Sequence, residues 1–318
     1  MAEPLRIEVE AAADGERLDQ LLAEPLGSRS AAQRAIDDGR VTVDGAVRPK
    51  RHRVAVGERI EVAPEPASEA EAARRDGVPF AVAFEDEHLL VVDKPAGVVV
   101  HPARGHRGAT LAEALAGRAA GGGDAARAGI VHRLDKDTSG LLVVAKSEAV
   151  HRALQELIRG RELRREYLAL VEGCPPARSG TIDAPIGRDR RVRTRMSTDT
   201  DVPRAARTHF ELERAYAGFA LLRVTLETGR THQIRVHLQA IGHPVAGDPE
   251  YNRARGPASA GHVAGSGTPS GQLGLRRQFL HAARLAFAHP ITGERIDVSS
   301  PLPPDLRAVL DRLEAGTV

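Results

Sequence analysis

Residues 129–146 place a dense polar cluster directly before an apolar run. The apolar part, residues 141–144, is predicted to form a buried strand because it is short and rich in β-branched residues. Asp135 therefore stands at the entry to a rigid element. Arg133 and Lys136 flank it, and their charges favour the ionised carboxylate. A carboxylate held in this way is a candidate nucleophile.

A second reactive stretch, residues 228–238, reads TGRTHQIRVHL. Thr231 is predicted to be the N-cap of a helix, since its side chain can accept a hydrogen bond from the first turn. His232 and Arg235 then fall on one face of that helix. Arg235 projects from the first turn, where it could pair with Asp135.

Tyr167 begins a predicted strand at residues 167–172 and is one of three tyrosines in the chain. A tyrosine in a site can stack on a base and carry a proton. It can equally be a strand-end residue with its ring in the core and its hydroxyl in water. The pattern alone favours the second interpretation.

Composition shifts divide the chain into an N-terminal extension (1–14), a small unit (15–63), a linker (64–78) and a large body (79–318). The body contains a low-complexity insert at about 255–274, predicted to be flexible. In the small unit, Ser30 and Gln33 are predicted to form a capping box at the start of a second helix. Residues 41–43 are predicted to be a strand that ends in an Asp44-Gly45 hairpin turn.

The body is rich in predicted strands. They lie at residues 89–93, 98–101, 141–146, 167–172, 208–213 and 219–228, with a hairpin over 286–298. Few of these strands are separated by regular helices. The pattern therefore favours an α+β fold with a mixed or mainly antiparallel sheet over a doubly wound fold.

The formal net charge is only +2, but the sequence pI is about 8.9 and arginines cluster locally. Clusters lie at residues 48–53, 161–165 and 188–195. Such nearly uncompensated clusters suit contact with the phosphate backbone of a nucleic acid. Because aromatic residues make up 3% of the chain, recognition is expected to rest on phosphates and RNA shape rather than on stacking. The single cysteine, Cys174, excludes an internal disulfide. No apolar stretch reaches the length of a membrane span or a signal peptide, so a cytoplasmic location is expected.

The three reactive stretches together resemble the RluA family of RNA pseudouridine synthases. The motif His132-Arg133-Leu134-Asp135 is similar to the catalytic motif of that family, and the motifs appear in the family's order over roughly residues 79–305. The resemblance implies that Asp135 is the catalytic carboxylate, that Tyr167 is the active-site tyrosine and that Arg235 is the active-site basic residue. It implies an isomerase that converts uridine to pseudouridine and needs no cofactor and no metal.

The small unit is similar to an S4 RNA-binding domain of α/β type. An S4 unit joined to this catalytic body most resembles the RluD branch of the family, which implies 23S ribosomal RNA or a large-subunit precursor as partner. A monomer is the default expectation. The candidates for RNA contact are His132, Arg133, Arg230, His232 and Gln233 near the catalytic residues, Arg29, Arg34, Lys50 and Arg51 in the small unit, and Arg191, Arg193 and Arg195 in the basic segment.

Four alternatives remain. A tRNA substrate would use the same chemistry. Asp135 and Asp137 could be the carboxylate pair of a glycoside hydrolase, although Asp137 is more simply a turn residue. A non-catalytic ribosome-binding S4 protein would not need three reactive residues. A zinc site is disfavoured because His232 and His237 are five residues apart and do not share a helical face.

Overall fold

The computed structural model describes residues 5–26, 29–63, 77–102, 106, 108–122, 129–252, 271 and 273–317. Contacts between Cα atoms divide the chain into two units, Met1–Arg75 and Asp76–Val318. In the described ranges, no helix has both the length and the apolar character needed to cross a membrane. The segment predicted as a flexible insert lies almost entirely outside the described residues.

The N-terminal unit combines two short helices with a four-stranded antiparallel sheet in the order β1-β4-β2-β3. Its elements are β1 (Leu5–Glu8), a 3-10 helix (Ala11–Ala13), α1 (Leu18–Leu21), α2 (Arg29–Asp37), β2 (Val41–Val43), β3 (Ala46–Val47) and β4 (Arg59–Val62). The helices and the sheet share one core, which includes Leu18, Ile36 and Ile60. The hairpin prediction is confirmed, since Asp44 and Gly45 join β2 to β3 with φ of 48° and 78°.

The capping box predicted for α2 is wrong. Ser30 lies inside α2 rather than before it, and the Gln33 side chain donates to Asp19 at 2.7 Å. Asp19, fully buried in α1, also accepts hydrogen bonds from Arg17 and Arg29. Burial alone would raise the pKa of Asp19, but these three donors lower it below its usual value. Asp19 therefore ties α1 to α2 by charge-assisted hydrogen bonds.

The second unit is built on one nine-stranded sheet. Its elements are β5 (Ala81–Glu85), β6 (Leu89–Lys94), α3 (Leu111–Ala114), β7 (Ser139–Ala145), α4 (Glu148–Arg159), β8 (Arg164–Glu172), β9 (Ser179–Asp183), β10 (Gly187–Arg188), β11 (Met196–Ser197), β12 (Arg207–Tyr216), β13 (Phe219–Leu226), α5 (Gln233–Ala240), β14 (Leu280–Ala288), β15 (Arg295–Ser299) and α6 (Pro304–Glu314). The strand order is β5-β6-β7-β14-β8-β13-β12-β9, with β15 paired to β14. A separate two-stranded ribbon, β10 and β11, lies outside this sheet.

The sheet confirms the predicted α+β class. Of its described strand pairs, β7 and β14 are parallel and the others are antiparallel. Every residue of β7 is buried, because its side chains alternate between two cores. Leu142 belongs to the core that contains Tyr167 and Ile234 of α5, whereas Val143 belongs to the other core, with Leu154 of α4. The loops before β7 and α5 therefore meet on the first of these two faces.

The strand predicted at residues 98–101 is wrong. Pro95 and Gly97, with φ of 87°, turn the chain out of the sheet after β6. The carbonyls of Val99 and Val100 then accept hydrogen bonds from the first amides of α3. The apolar run of this segment reflects the burial of Val98 and Val100, whereas its backbone carbonyls are used to begin a helix.

Gly140 allows the close approach of β7 and β14. It has a φ of 111°, and a Cβ atom there would overlap the backbone of Ala282, its neighbour in the parallel ladder. We expect Gly140→Ala to lower the free energy of unfolding by about 3 kcal/mol or more, through both overlap and strained backbone. Gly293→Ala is the matched control, because Gly293 has a φ of 74° with open space around it. In urea denaturation, the free energy of unfolding of Gly293→Ala should fall by about 1 kcal/mol. If both variants lose the same free energy, the overlap with Ala282 does not contribute.

Candidate active site

The loop that carries Asp135 is held by a buried lysine. Lys94, at the end of β6, is fully buried and donates to three backbone carbonyls. These belong to Pro95, Val98 and Lys136, at 2.9, 3.0 and 3.0 Å. Burial lowers the pKa of Lys94 to about 7, and the nearby carboxylates act against this effect. Lys94 thus fastens the residue that follows Asp135 to the end of a central strand.

Asp135 and Arg235 lie together, as the sequence predicted. Arg235 Nη1 donates to Asp135 Oδ2 at 3.2 Å. The same guanidinium makes a two-point contact with Asp248, from Nε at 2.6 Å and from Nη2 at 3.0 Å, and Nη2 is 3.3 Å from Glu250 Oε2. Burial would lower the pKa of Arg235, but Asp248 raises it above its ordinary value. Asp248 therefore fixes a charged Arg235 with Nη1 directed at Asp135.

The ring of Tyr251 contacts two guanidinium groups. Arg235 stands 4.8 Å from the ring centroid and Arg195 stands 4.6 Å from it. The hydroxyl accepts from the Met196 amide at 3.1 Å and lies 2.9 Å from His232 Nδ1. Burial raises the pKa of Tyr251, so the phenol keeps its proton. Through Arg195, the Tyr251 ring therefore links the β10–β11 ribbon to Arg235, which pairs with Asp135.

His232, rather than Thr231, precedes α5, so the predicted N-cap is wrong. His232 adopts a left-handed conformation with φ of 57°. Its Nδ1 is 3.5 Å from Glu250 Oε2, and its Nε2 is 4.0 Å from Asp135 Oδ1. Burial lowers the pKa of His232. A non-glycine residue in this conformation costs about 1 kcal/mol or more, and here it brings the ring to the catalytic candidates.

Gln233 has a structural role that the sequence did not indicate. Its Oε1 accepts from the Thr228 hydroxyl at 2.7 Å and from the Arg230 amide at 3.0 Å. Its Nε2 donates to the Arg207 carbonyl and to Thr208 Oγ1, both at 3.0 Å. The side chain is buried and its amide group is used internally, so Gln233 shapes the loop and has no free group for RNA.

His237 is also occupied within the protein. Its Nδ1 lies 2.8 Å from Thr208 Oγ1, and its Nε2 lies 2.8 Å from the Ala184 carbonyl. In the part of the chain that the structure describes, no group of three or more His, Cys, Asp or Glu side chains could hold a metal ion.

Asp135 and Arg235 line a cavity of about 680 Å³. Tyr167 lines it too, on β8 between Ala282 of β14 and Val224 of β13. The Tyr167 side chain is buried, and burial raises its pKa, so the phenol is neutral. The cavity thus brings the three predicted catalytic residues together.

His132 lines the same cavity as a neutral ring. Its Nε2 accepts a hydrogen bond from the Val143 amide at 3.0 Å. Burial, helped by the charge of Arg165, lowers the pKa of His132 to about 3. A neutral imidazole that accepts at Nε2 carries its proton on Nδ1. That Nδ1 is buried and has no hydrogen-bond partner among the described residues.

The other predicted RNA contacts of this unit lie at the surface or the cavity wall. Arg133 is exposed and lines the cavity, and half-buried Arg230 donates to the Ala205 carbonyl at 3.0 Å. Arg191 and Arg193 are exposed in the turn between β10 and β11. Arg195, in the same turn, is the residue that stacks on the Tyr251 ring.

In the N-terminal unit, Lys50 pairs with Asp37 at 3.1 Å and Arg51 is exposed. Arg29 binds Asp19, and its side chain is still 49% exposed. The side chain of Arg34 lies outside the described residues. Arg29, Lys50 and Arg51 therefore remain open to solvent at least in part.

Sequence reasoning missed several residues of the site, above all Asp248, Glu250 and Tyr251. These three follow one another closely in a segment without helical or strand periodicity. Two carboxylates and a tyrosine within four residues, in a chain with three tyrosines, were the available signal. Arg165 was read as part of a basic run, whereas the structure buries it in the cavity wall.

Comparisons with known proteins point to RNA pseudouridine synthases. The family model described as RNA pseudouridylate synthase matches residues 88–240, and the S4 domain model matches residues 16–60. The chain is 43% identical over 301 residues to "Ribosomal large subunit pseudouridine synthase D" of Nitrosomonas europaea, covering 94% of this chain and 85% of that one. It is 44% identical over 302 residues to the Pseudomonas aeruginosa protein of the same name, covering 94% and 92%. The solved structure of human RNA Pseudouridylate Synthase Domain Containing 4 is similar with a TM-score of 0.55 and 25% identity, over 77% of this chain and 95% of that one.

Proposed function

Because the chain belongs to the family of RNA pseudouridine synthases, we propose that it isomerises specific uridines of 23S ribosomal RNA to pseudouridine. The observation that carries the proposal is the pairing of Asp135 with Arg235 at a cavity that Tyr167 also lines. The ribosomal substrate is supported by the names of the relatives that match almost the full chain.

The reaction requires the target uridine to leave its stack, at a cost of a few kcal/mol. The bond between C1′ of the ribose and N1 of the base then breaks, the base turns, and C5 bonds to C1′. The C5 proton is then removed and N1 takes up a proton, which completes an isomerisation in which no atom is gained or lost overall. We assign Asp135 to act directly on the sugar or the base. Arg235, itself held by Asp248, keeps Asp135 ionised and oriented.

Tyr167 is assigned two roles, stacking on the uracil and relaying the C5 proton. Its phenol is neutral, so it can take a proton from C5 only while passing its own proton to another base. Asp135 is close enough for its charge to act on Tyr167, and it is the carboxylate available once the new carbon–carbon bond has formed.

We expect Tyr167→Phe to lower turnover by about 10²- to 10⁴-fold, the usual contribution of a general acid–base group. The ring is retained, so RNA affinity should stay close to that of the wild type. Turnover is measured as pseudouridine formed in an unmodified 23S transcript, and affinity by filter binding. If this variant turns over at the wild-type rate, Tyr167 does not relay the proton and keeps only the stacking role.

RNA binding is assigned to the exposed arginines of the ribbon, to Arg133 at the cavity and to the S4-like domain placed at residues 15–63. Asp135 must act inside the cavity, so these groups have to hold the RNA while one nucleotide is extruded. We further propose a monomer located in the cytoplasm, where ribosomal RNA is made.

A pseudouridine map of total RNA from a strain that lacks the gene tests this function. Loss of specific sites in 23S RNA, restored by the wild-type gene, is the expected result. Loss of sites in tRNA alone would move the substrate to tRNA. An unchanged map would contradict the enzymatic assignment and favour a ribosome-binding protein.

A further inference from the structure

We propose that Arg165 and His132 form an anion-accepting subsite that holds the negative charge of the uracil while it is detached from the ribose. The inference rests on the proposed function, because it concerns the same cavity and the same reaction. It assigns two further residues of the cavity lining to direct contact with the base.

Arg165 is a buried cation for which the described residues supply no counter-ion. The residue is 4% exposed, its Nε has no hydrogen-bond partner, and Nη2 makes one long contact of 3.4 Å to the Leu226 carbonyl. Among the described residues, no carboxylate forms an ion pair with it. Arg164, its neighbour on the strand, is instead paired with Glu166 at 2.7 Å. An unpaired buried charge costs several kcal/mol, so a ligand that brings a negative charge to Arg165 would relieve that cost.

The position of Arg165 favours the base over a phosphate. Arg165 and Tyr167 are two residues apart on β8, so their side chains lie on the same face of the sheet. Tyr167 is affected by the charges of both Arg165 and Asp135. If the uracil stacks on Tyr167 and the ribose faces Asp135, the base is the part of the nucleotide that reaches Arg165.

His132 supplies a neutral donor to the same place. The Val143 amide fixes its proton on Nδ1, and that Nδ1 is buried without a partner among the described residues. His132 also lies close enough to Arg165 for the arginine charge to disfavour a second proton on its ring. A cation and a fixed N–H donor that line the same cavity are suited to a developing anion.

The anion arises from the bond that breaks. When the C1′–N1 bond cleaves, its electron pair stays with the base, and the uracil carries a negative charge spread over N1, O2 and O4. C5 of this anion then attacks C1′, and the electron pair that carried the negative charge forms the new bond. The C5 proton is lost after that. Arg165 and His132 would stabilise the base only in the interval between these two steps.

The test compares Arg165→Gln with wild type under single-turnover conditions, with excess enzyme and an unmodified 23S transcript. We expect the rate constant at saturation to fall about 10²-fold, the scale of removing one donor to a developing anion. RNA affinity should be unchanged. The melting temperature should stay equal or rise, because an unpaired buried charge has been removed. If Arg165 had only a structural role, Arg165→Gln would lower the rate constant and the melting temperature together. That result would overturn the proposal.

Arg164→Gln is the matched control, since it removes the adjacent arginine from the opposite face of the strand. Glu166 keeps Arg223 and Arg284 as partners in that variant, so activity should stay at the wild-type level. A weaker RNA affinity of Arg165→Gln with a normal saturated rate would assign Arg165 to a phosphate and overturn the proposal. Inactive wild-type enzyme would instead refute the proposed function, which keeps the two failures distinct.

A second arm uses a transcript made with 5-fluorouridine in place of uridine. Fluorine withdraws electrons, so the detached base is a more stable anion and needs less help from Arg165. We expect the defect of Arg165→Gln, measured as disappearance of the original nucleoside after digestion, to be smaller with 5-fluorouridine than with uridine. Equal defects on both transcripts would overturn the role in charge stabilisation.

Discussion

Asp135→Asn is expected to abolish pseudouridine formation, with a loss of more than about 10⁴-fold, while RNA binding survives. The substitution keeps the size of the side chain and removes the charge that would act on the sugar or base. Arg235 retains Asp248 and Glu250 as partners, so the fold should lose no more than about 1 kcal/mol. Product is measured in digested 23S transcript and binding by a filter assay.

Asp137→Asn is the control for this substitution. Asp137 is two residues from Asp135, and its backbone carbonyl rather than its side chain accepts from Arg277, at 3.0 Å. The control should remain active. Turnover by Asp135→Asn would refute the catalytic assignment. An equal loss of turnover in both variants would instead mean that Asp135 and Asp137 act together as a pair of carboxylates.

Arg235→Met is expected to have the second largest effect, on activity and on stability. It leaves the Asp248 side chain, which is 0% exposed, buried without its two-point partner. Removal of one member of a buried charge pair costs about 3–5 kcal/mol in the free energy of unfolding. Urea denaturation measures this loss, and turnover should fall with it because Asp135 loses its orienting cation.

The double variant Arg235→Met/Asp248→Asn separates the two effects. The asparagine can still accept from the Glu250 and Tyr251 amides, which Asp248 Oδ1 binds at 2.9 and 3.0 Å. The fully buried charge of Asp248 is removed together with its partner, so most of the lost stability should return while activity stays low. Recovery of activity together with stability would mean that Arg235 acts only through the fold.

The fold class could be predicted because strand periodicity is local. The strand predicted at 141–146 is observed at Ser139–Ala145, and the hairpin predicted over 286–298 is β14 with β15. The segment at 98–101 is a short apolar run of the same kind as residues 141–144, but its carbonyls accept hydrogen bonds from α3. Periodicity reports which side chains are buried and does not report where the backbone hydrogen bonds go.

The site could be predicted where a motif carried the chemistry, as for Asp135 and Arg235. Asp248 could not, because its role depends on the turn that brings it back to Arg235 across 13 residues. Gln233 and Thr231 were misread for a related reason. The Gln233 side chain bonds inward to the loop that precedes it, and the helix begins two residues beyond Thr231.

The parallel pair of β7 and β14 has a consequence for synthesis on the ribosome. β14 lies between β7, which follows Asp135, and β8, which carries Tyr167, and it begins at Leu280. Ser139 and His281, which are hydrogen-bonded across this pair, are 142 residues apart. In a nascent chain that has not reached β14, β7 and β8 therefore each have an unpaired edge, next to Asp135 and at Tyr167. Its N-terminal RNA-binding unit can fold well before the chain becomes able to react with RNA.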